Sequence, residues 1–317
     1  MSKRRKKAIY VLLKGRIGNQ LFMYAFARAL QAHLGDDDAE IIIDDSEVLR
    51  MGWEDSLVHY GLRNVRFVHN RSEAKSRRWR FRYVLLRIAT RICGHDAPFS
   101  KKYARELVLR PFLSLFGIFM CENGFMHFEF GRKYRYLFCG YFQSEKYFAP
   151  VKDELVSCVR LHDDFDYPGL DLLRSAESVC VSIKVEHNIG SSMYAVCGKE
   201  YWQAAIRYVL GKIRNPLFFI CSDDVDYVRE NLIDCSQVSA VFQDRSQPIH
   251  KTLAAMSCCK HFIIGNSSFS WWAQYASKNP DKITVAPSRW MLVDMPIDIY
   301  QDGWHLIDVE KSGEAYA

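Results

Sequence analysis

Gly265, Asn266, Ser267, Ser268, Phe269 and Ser270 follow an apolar run, His261-Phe262-Ile263-Ile264, and precede a second one beginning at Trp271-Trp272. The pattern reads as strand, tight turn and helix. At such a junction the first free N–H groups of the helix face the strand's carboxyl end, and serine hydroxyls beside them can hold a phosphate. A plain helix cap by Asn266 and Ser267 accounts for the same residues in isolation. Ser222-Asp223-Asp224 closes another apolar run at 217–221. Acids there could chelate a divalent cation, but a helix opening at Val225 favours them through its dipole alone, and no metal is expected. Lys14-Gly15-Arg16-Ile17-Gly18-Asn19-Gln20 follows a third apolar run at 8–13. The glycines suit a tight turn; packing does not account for Arg16, Asn19 and Gln20 at a strand's carboxyl end.

These groups need a scaffold. A chain of 317 residues is about twice a typical domain, so two domains are expected, at 1–160 and 170–317, with the polar stretch 163–169 as linker. In the first half a strand at 8–13, an amphipathic helix at 19–35 and a strand at 40–43 make a β-loop-α-β opening. The second half alternates in the same way: strands at 179–185, 217–221, 262–264 and 283–286, helices at 199–210, 225–232 and 250–259. Such alternation predicts an α/β fold with parallel sheets and ligands at the strand carboxyl ends. Neither a Gly-x-Gly-x-x-Gly fingerprint nor a Walker loop is present, which disfavours dinucleotide and ATP enzymes. Trp271, Trp272 and Trp290 are assigned to the core.

The formal charge is +6, and it is unevenly spread. In a segment at about 63–110, arginines 77, 78, 80, 82, 87 and 91 interleave with Trp79, Phe81, Val84, Leu85, Leu86, Ile88 and Ile92. On a helix this gives an apolar stripe flanked by arginines, suited to an anionic membrane surface or to phosphates; a core helix with a solvated basic face fits equally well. Nucleic acid is disfavoured, because no recognition motif accompanies the charge. Ten cysteines without Cys-x-x-Cys spacing point to a reducing, cytoplasmic compartment and to no structural zinc. The basic N-terminus is followed by too few apolar residues for a signal peptide, and no run approaches the roughly 18–20 apolar residues of a membrane span.

Four stretches together resemble one family: 15–25 (Gly-Arg-Ile-Gly-Asn-Gln-Leu-Phe-Met-Tyr-Ala), 140–148 (Gly-Tyr-Phe-Gln-Ser-Glu-Lys-Tyr-Phe), 218–224 (Phe-Phe-Ile-Cys-Ser-Asp-Asp) and 260–272. In order and content they are similar to glycosyltransferase family 11, the α-1,2-fucosyltransferases. The resemblance implies a GT-B fold of two facing Rossmann-like domains with a cleft between them, and a GDP-fucose donor. It also implies a galactoside-type glycan acceptor and inversion at the anomeric carbon with no metal or other cofactor. Gly15, Arg16, Gly18, Asn19 and Gln20 would border the acceptor and sugar side. Lys184, Ser222, Asp223, Asn266, Ser267, Ser268 and Phe269 would hold the donor.

Two positions depart from the family pattern. Where the family carries His-x-Arg-Arg-Gly-Asp-Tyr, this chain has Ser182-Ile183-Lys184-Val185-Glu186-His187-Asn188. Lys184 can replace a phosphate-binding arginine as a point charge without its bidentate fork. His187, at the aspartate's position, titrates near neutral pH and with Glu186 is a candidate base. Lys251 stands where the family carries an acid, and an ammonium cannot accept guanine N–H groups. Two alternatives stay open: a relative using a different nucleotide sugar, and a carbohydrate- or nucleotide-binding protein without catalysis.

Overall fold

The computed structural model describes residues 7–35, 39–70, 72–73, 76–188, 191, 193–234 and 238–309, with the side chains of His187 and Asn188 outside that description. The chain divides into two units, Met1–Glu154 with Asp294–Ile299, and Leu155–Val293 with Tyr300–Ala317. The division falls inside the helix Lys152–Val159, and the stretch expected as a linker belongs to the second unit. There Asp163 is held by the Arg160 guanidinium at 2.5 Å and by the Lys278 ammonium.

The first unit is built on β1 (Lys7–Leu12), β2 (Ala39–Asp44), β3 (Val65–Val68), β4 (Ile118–Cys121) and β5 (Arg135–Gly140), in the order β3-β2-β1-β5-β4. All four pairings are parallel, so every carboxyl end lies on one edge. β1 is central and covered on both faces, which is why Ile9, Tyr10 and Val11 are apolar or aromatic and fully buried. On one face lies the helix Ile17–Leu34, whose Phe26 meets Phe119 and Phe138. Residues one position away in each strand, Ile118, Met120, Leu137 and Cys139, point to the opposite face, against Trp79, Leu86, Ala89, Cys93 and Leu113. The basic segment at about 63–110 is therefore part of the frame. It supplies β3 and the helices Arg80–Cys93 and Phe99–Leu115 that cover the sheet.

The second unit carries β6 (Ser178–Ile183), β7 (Leu217–Ser222), β8 (Ser239–Phe242), β9 (His261–Ile264), β10 (Thr284–Pro287) and β11 (His305–Ile307), in the order β11-β10-β9-β6-β7-β8. These pairings too are parallel. The helix Lys199–Leu210 packs Tyr201, Trp202, Ala205 and Val209 onto Val179, Val181, Ile220 and Ile263. Trp271 and Trp272 are fully buried and Trp290 nearly so, as core residues. The nine described cysteines are unpaired. Burial pushes the Cys121 and Cys197 thiols up to about 12, so they behave as small apolar groups. Among the described residues no helix is long and apolar enough to cross a membrane.

Candidate active site

In the first unit β1 runs directly into the helix Ile17–Leu34, and the turn between them needs Gly15. Its φ is +69°, and a Cβ there would fall 2.5 Å from the Asn19 amide nitrogen. Gln20, fully buried, fastens this turn: Nε2 donates to the carbonyls of Gly15 and Glu54, each at 2.9 Å, and Oε1 accepts the Ser56 N–H at 2.9 Å. Asn19 is only half-buried, and its Oδ1 accepts from Gln143 Nε2 at 2.8 Å, which leaves its amide nitrogen to donate at the sheet edge. Arg16 is exposed, with its guanidinium 5.8 Å from the Trp53 ring centre, and Gly18 is buried in the helix's first turn.

Gln143 reaches Asn19 because of Gly140. That residue has φ of +132°, and a Cβ would lie 2.1 Å from the Cys121 carbonyl oxygen on the paired strand. The chain turns there, Phe142 at φ +49° stacks on Phe26 with ring centres 4.1 Å apart, and Gln143 is delivered to the end of β1. Burial of an aromatic ring offsets the cost of a left-handed backbone at a non-glycine residue.

Two polar clusters on the same edge escaped the sequence reading. Lys14, just past β1, pairs with Glu122, just past β4, at 2.5 Å, and Cys139 Sγ donates to the same carboxylate at 2.8 Å. Burial works against the Lys14 charge, but the neighbouring Cys139 and Glu122 raise its pKa well above the lysine value. Behind them the buried Glu106 accepts the N–H groups of Glu122 and Asn123, and burial pushes its carboxyl up to about 7. The second cluster follows β2: Asp45 lies 2.8 Å from His69, and burial with the adjacent Asp45 pushes Asp55 up to about 7. An acid directly after an apolar strand was the available signal, but β4 is four residues long and adjoins the basic segment.

In the second unit β6, β7 and β9 are neighbours, so the residues after them share one edge. Lys184 Nζ lies 2.7 Å from Asp223 Oδ2 and 2.7 Å from Glu186 Oε2. Asp223 Oδ1 also accepts the Val185 N–H at 2.7 Å, and Oδ2 the Glu186 N–H at 3.2 Å. Burial opposes its charge, yet Lys184 and these N–H groups hold its carboxyl below the usual range. Ser222 is buried, accepting the Asp224 N–H at 3.0 Å, and Asp224 caps Tyr227 N–H at 3.0 Å. The His187 backbone belongs to the helical turn Val185–Asn188, while its side chain lies outside the described residues.

At the end of β9, Gly265 lets the Trp202 ring approach; a Cβ would meet it at 3.2 Å. Asn266 is buried and engaged, its Nδ2 donating to the carbonyls of Tyr194 and Trp290, each at 3.0 Å. Ser267 caps the helix Ser268–Tyr275 by accepting the Phe269 N–H at 3.3 Å. Ser268 and Phe269 are half-buried in the first turn. The edge thus gathers Lys184, Glu186, Asp223 and a helix N-terminus, while Asn266 and Ser222 serve the loop itself.

The chain is 23% identical over 315 residues to the O-antigen biosynthesis glycosyltransferase WbnK of Escherichia coli, covering 93% of this chain and 99% of that protein. To the α-1,2-colitosyltransferase of Escherichia coli it is 30% identical over 162 residues, 48% of this chain and 55% of that protein. Among solved structures, the fucosyltransferase NodZ from Bradyrhizobium matches with a TM-score of 0.50 at 12% identity, over 92% of this chain and 99% of that one. That likeness is one of fold, the GT-B type of α/β protein with two parallel sheets. The family model of Glycosyl transferase family 11 matches residues 8–308, and the chain therefore belongs to this family and is a fucosyltransferase-like glycosyltransferase.

Proposed function

We propose that the protein transfers L-fucose from GDP-fucose to a galactoside-type acceptor in α-1,2 linkage, with inversion and without a metal, during synthesis of a surface glycan in the cytoplasm. The observation that carries donor binding is the second unit's edge, where Lys184, flanked by two carboxylates, stands one strand from the helix start at Ser267 and Ser268. In this reading Lys184 holds the β-phosphate, and the N–H groups and hydroxyl at Ser268 hold the rest of the diphosphate. A phosphate that draws Lys184 away from Glu186 raises the basicity of that exposed carboxylate. Glu186, or His187 beside it, then takes the acceptor hydroxyl proton as the new C–O bond forms and GDP departs with the electron pair of the old one. On the first unit Asn19 donates to acceptor hydroxyls, with Arg16 beside it, and Gly15, Gly18 and Gln20 hold the turn.

A second reading keeps the chemistry and changes the donor sugar. It is favoured by the likeness to a protein named for colitose, which is fucose without its 3-hydroxyl, and by Lys184 and Lys251 standing where the family has an arginine and an acid. A melting-temperature screen of GDP, UDP, dTDP and CDP tests both readings, because a ligand of the native state stabilises it by mass action. Stabilisation by GDP, followed by fucose transfer to a galactoside, supports the first. Stabilisation by GDP with turnover of only the 3-deoxy sugar supports the second, and a response confined to another nucleotide removes the GDP donor altogether.

A further inference from the structure

The helix Arg80–Cys93 has two apolar faces, and the fold uses one. Trp79, Leu86, Ala89 and Cys93 are buried against the sheet. Phe81, Val84, Ile88 and Ile92, spaced three and four residues apart on the other side, are 45–56% exposed. The next helix repeats this with Val108, Phe112 and Leu115, and the two stripes meet at Phe116, whose ring lies 5.4 Å from Phe81 and 5.2 Å from Phe112. Arg80, Arg87 and Arg91 are exposed along the first stripe, and Lys101 and Arg105 extend the second.

Charge decides what such a surface fits. Residues 76–115 hold ten lysines and arginines against two acids, Asp96 and Glu106, and Glu106 is buried. A contact with a second copy of this chain would set like charges against each other, and the cores of protein interfaces are poor in charge. Exposed aromatic and branched residues bordered by arginines instead match a lipid surface, with apolar groups entering the acyl boundary and guanidinium groups meeting anionic headgroups. We propose that this face of the first unit, Phe81-Val84-Ile88-Ile92 with Val108-Phe112-Leu115, docks the enzyme on an anionic bilayer. The inference is independent of the donor sugar.

The full-length protein is sedimented with phosphatidylcholine vesicles and with vesicles containing about one third phosphatidylglycerol, at low and high salt. Binding to the anionic vesicles alone, weakened by salt, is the expected result. Replacing Arg87 and Arg91 together by Gln should lower the partition coefficient about thirtyfold. Ile88→Ser with Val108→Ser should weaken binding at both salt concentrations, with the melting temperature and GDP response unchanged because both residues face solvent. Failure of the parent protein to bind, or equal binding by all three proteins, overturns the proposal. Light scattering that shows a dimer of the parent, made monomeric by the serine pair, would assign the face to a second copy instead, as retention on nucleic acid but not on vesicles would assign it to that.

Discussion

Asn19, in the first turn of the helix after β1, and Asn266, in the turn after β9, each lie within a glycine-bearing motif, and the structure uses them in opposite ways. Asn19 is held by its oxygen and keeps its amide nitrogen at the sheet edge; the buried Gln20 next to it makes the hydrogen bonds that shape the turn. Asn266 is itself the buried fastener, with its amide on two carbonyls, and the residues that reach the edge are Ser268 and Phe269 behind it. In each junction one amide side chain fixes the loop so that a neighbour can present. A polar residue in a motif is thus as often the clamp as the hand.

The glycines differ likewise, and give the largest contrast. Gly140→Ala sets a Cβ against backbone at a φ open only to glycine, so a loss above about 4 kcal/mol is expected, seen as loss of the cooperative thermal transition. Gly265→Ala presses on the rim of the Trp202 ring, which can shift by tenths of an ångström, so about 1–3 kcal/mol is expected and a folded protein should remain. Equal damage from the two would mean that the junctions are not held in different ways.

Next come the clamps. Gln20→Leu strands two part-buried carbonyls and a buried N–H, and Asn266→Leu strands two carbonyls; each should cost about 2–4 kcal/mol in chemical denaturation. Asn19→Ala should cost under about 1 kcal/mol because the residue is half-exposed, yet lower kcat/KM roughly a hundredfold through loss of a donor to the acceptor. Should Asn19→Ala prove as destabilising as Asn266→Leu with its turnover intact, the two asparagines have the same structural role and the first unit's edge loses its assigned donor.

Much of this frame was legible. The runs at 8–13, 179–185, 217–221 and 262–264 became β1, β6, β7 and β9 because a strand covered on both faces must be apolar throughout. The helix at 199–210 was read to the residue. What was missed were the edge strands β3, β4, β8 and β11, three or four residues long, whose place depends on pairing with distant partners rather than on local pattern, and the body of the interior strand β5 ahead of Gly140. The strand read at 179–185 stops at Ile183, and its last residues turn into a short helix whose N–H groups at Val185 and Glu186 bond Asp223. That tertiary contact has no local signature. For the same reason the motifs located the two edges but could not say which of their amides and hydroxyls face inward.

The two edges also differ in how they hold acid, and this sets the smallest effect. Asp223 in the second unit is paired with a cation and held below the usual carboxylate range, so its contribution is present at neutral pH and is lost as pH falls through its depressed pKa. Asp55 in the first unit is the reverse. Burial and Asp45 raise it from 3.8 to about 7, so between those values the folded state binds more protons than the unfolded one and stability falls as pH rises. Asp55→Asn replaces the protonated acid by a neutral group of the same shape. The variant should match the parent near pH 4 and exceed it at pH 7.5, measured by denaturant unfolding at both pH values. A variant less stable than the parent at pH 7.5 would show that the folded protein favours the charged Asp55 carboxylate and that its pKa is not raised.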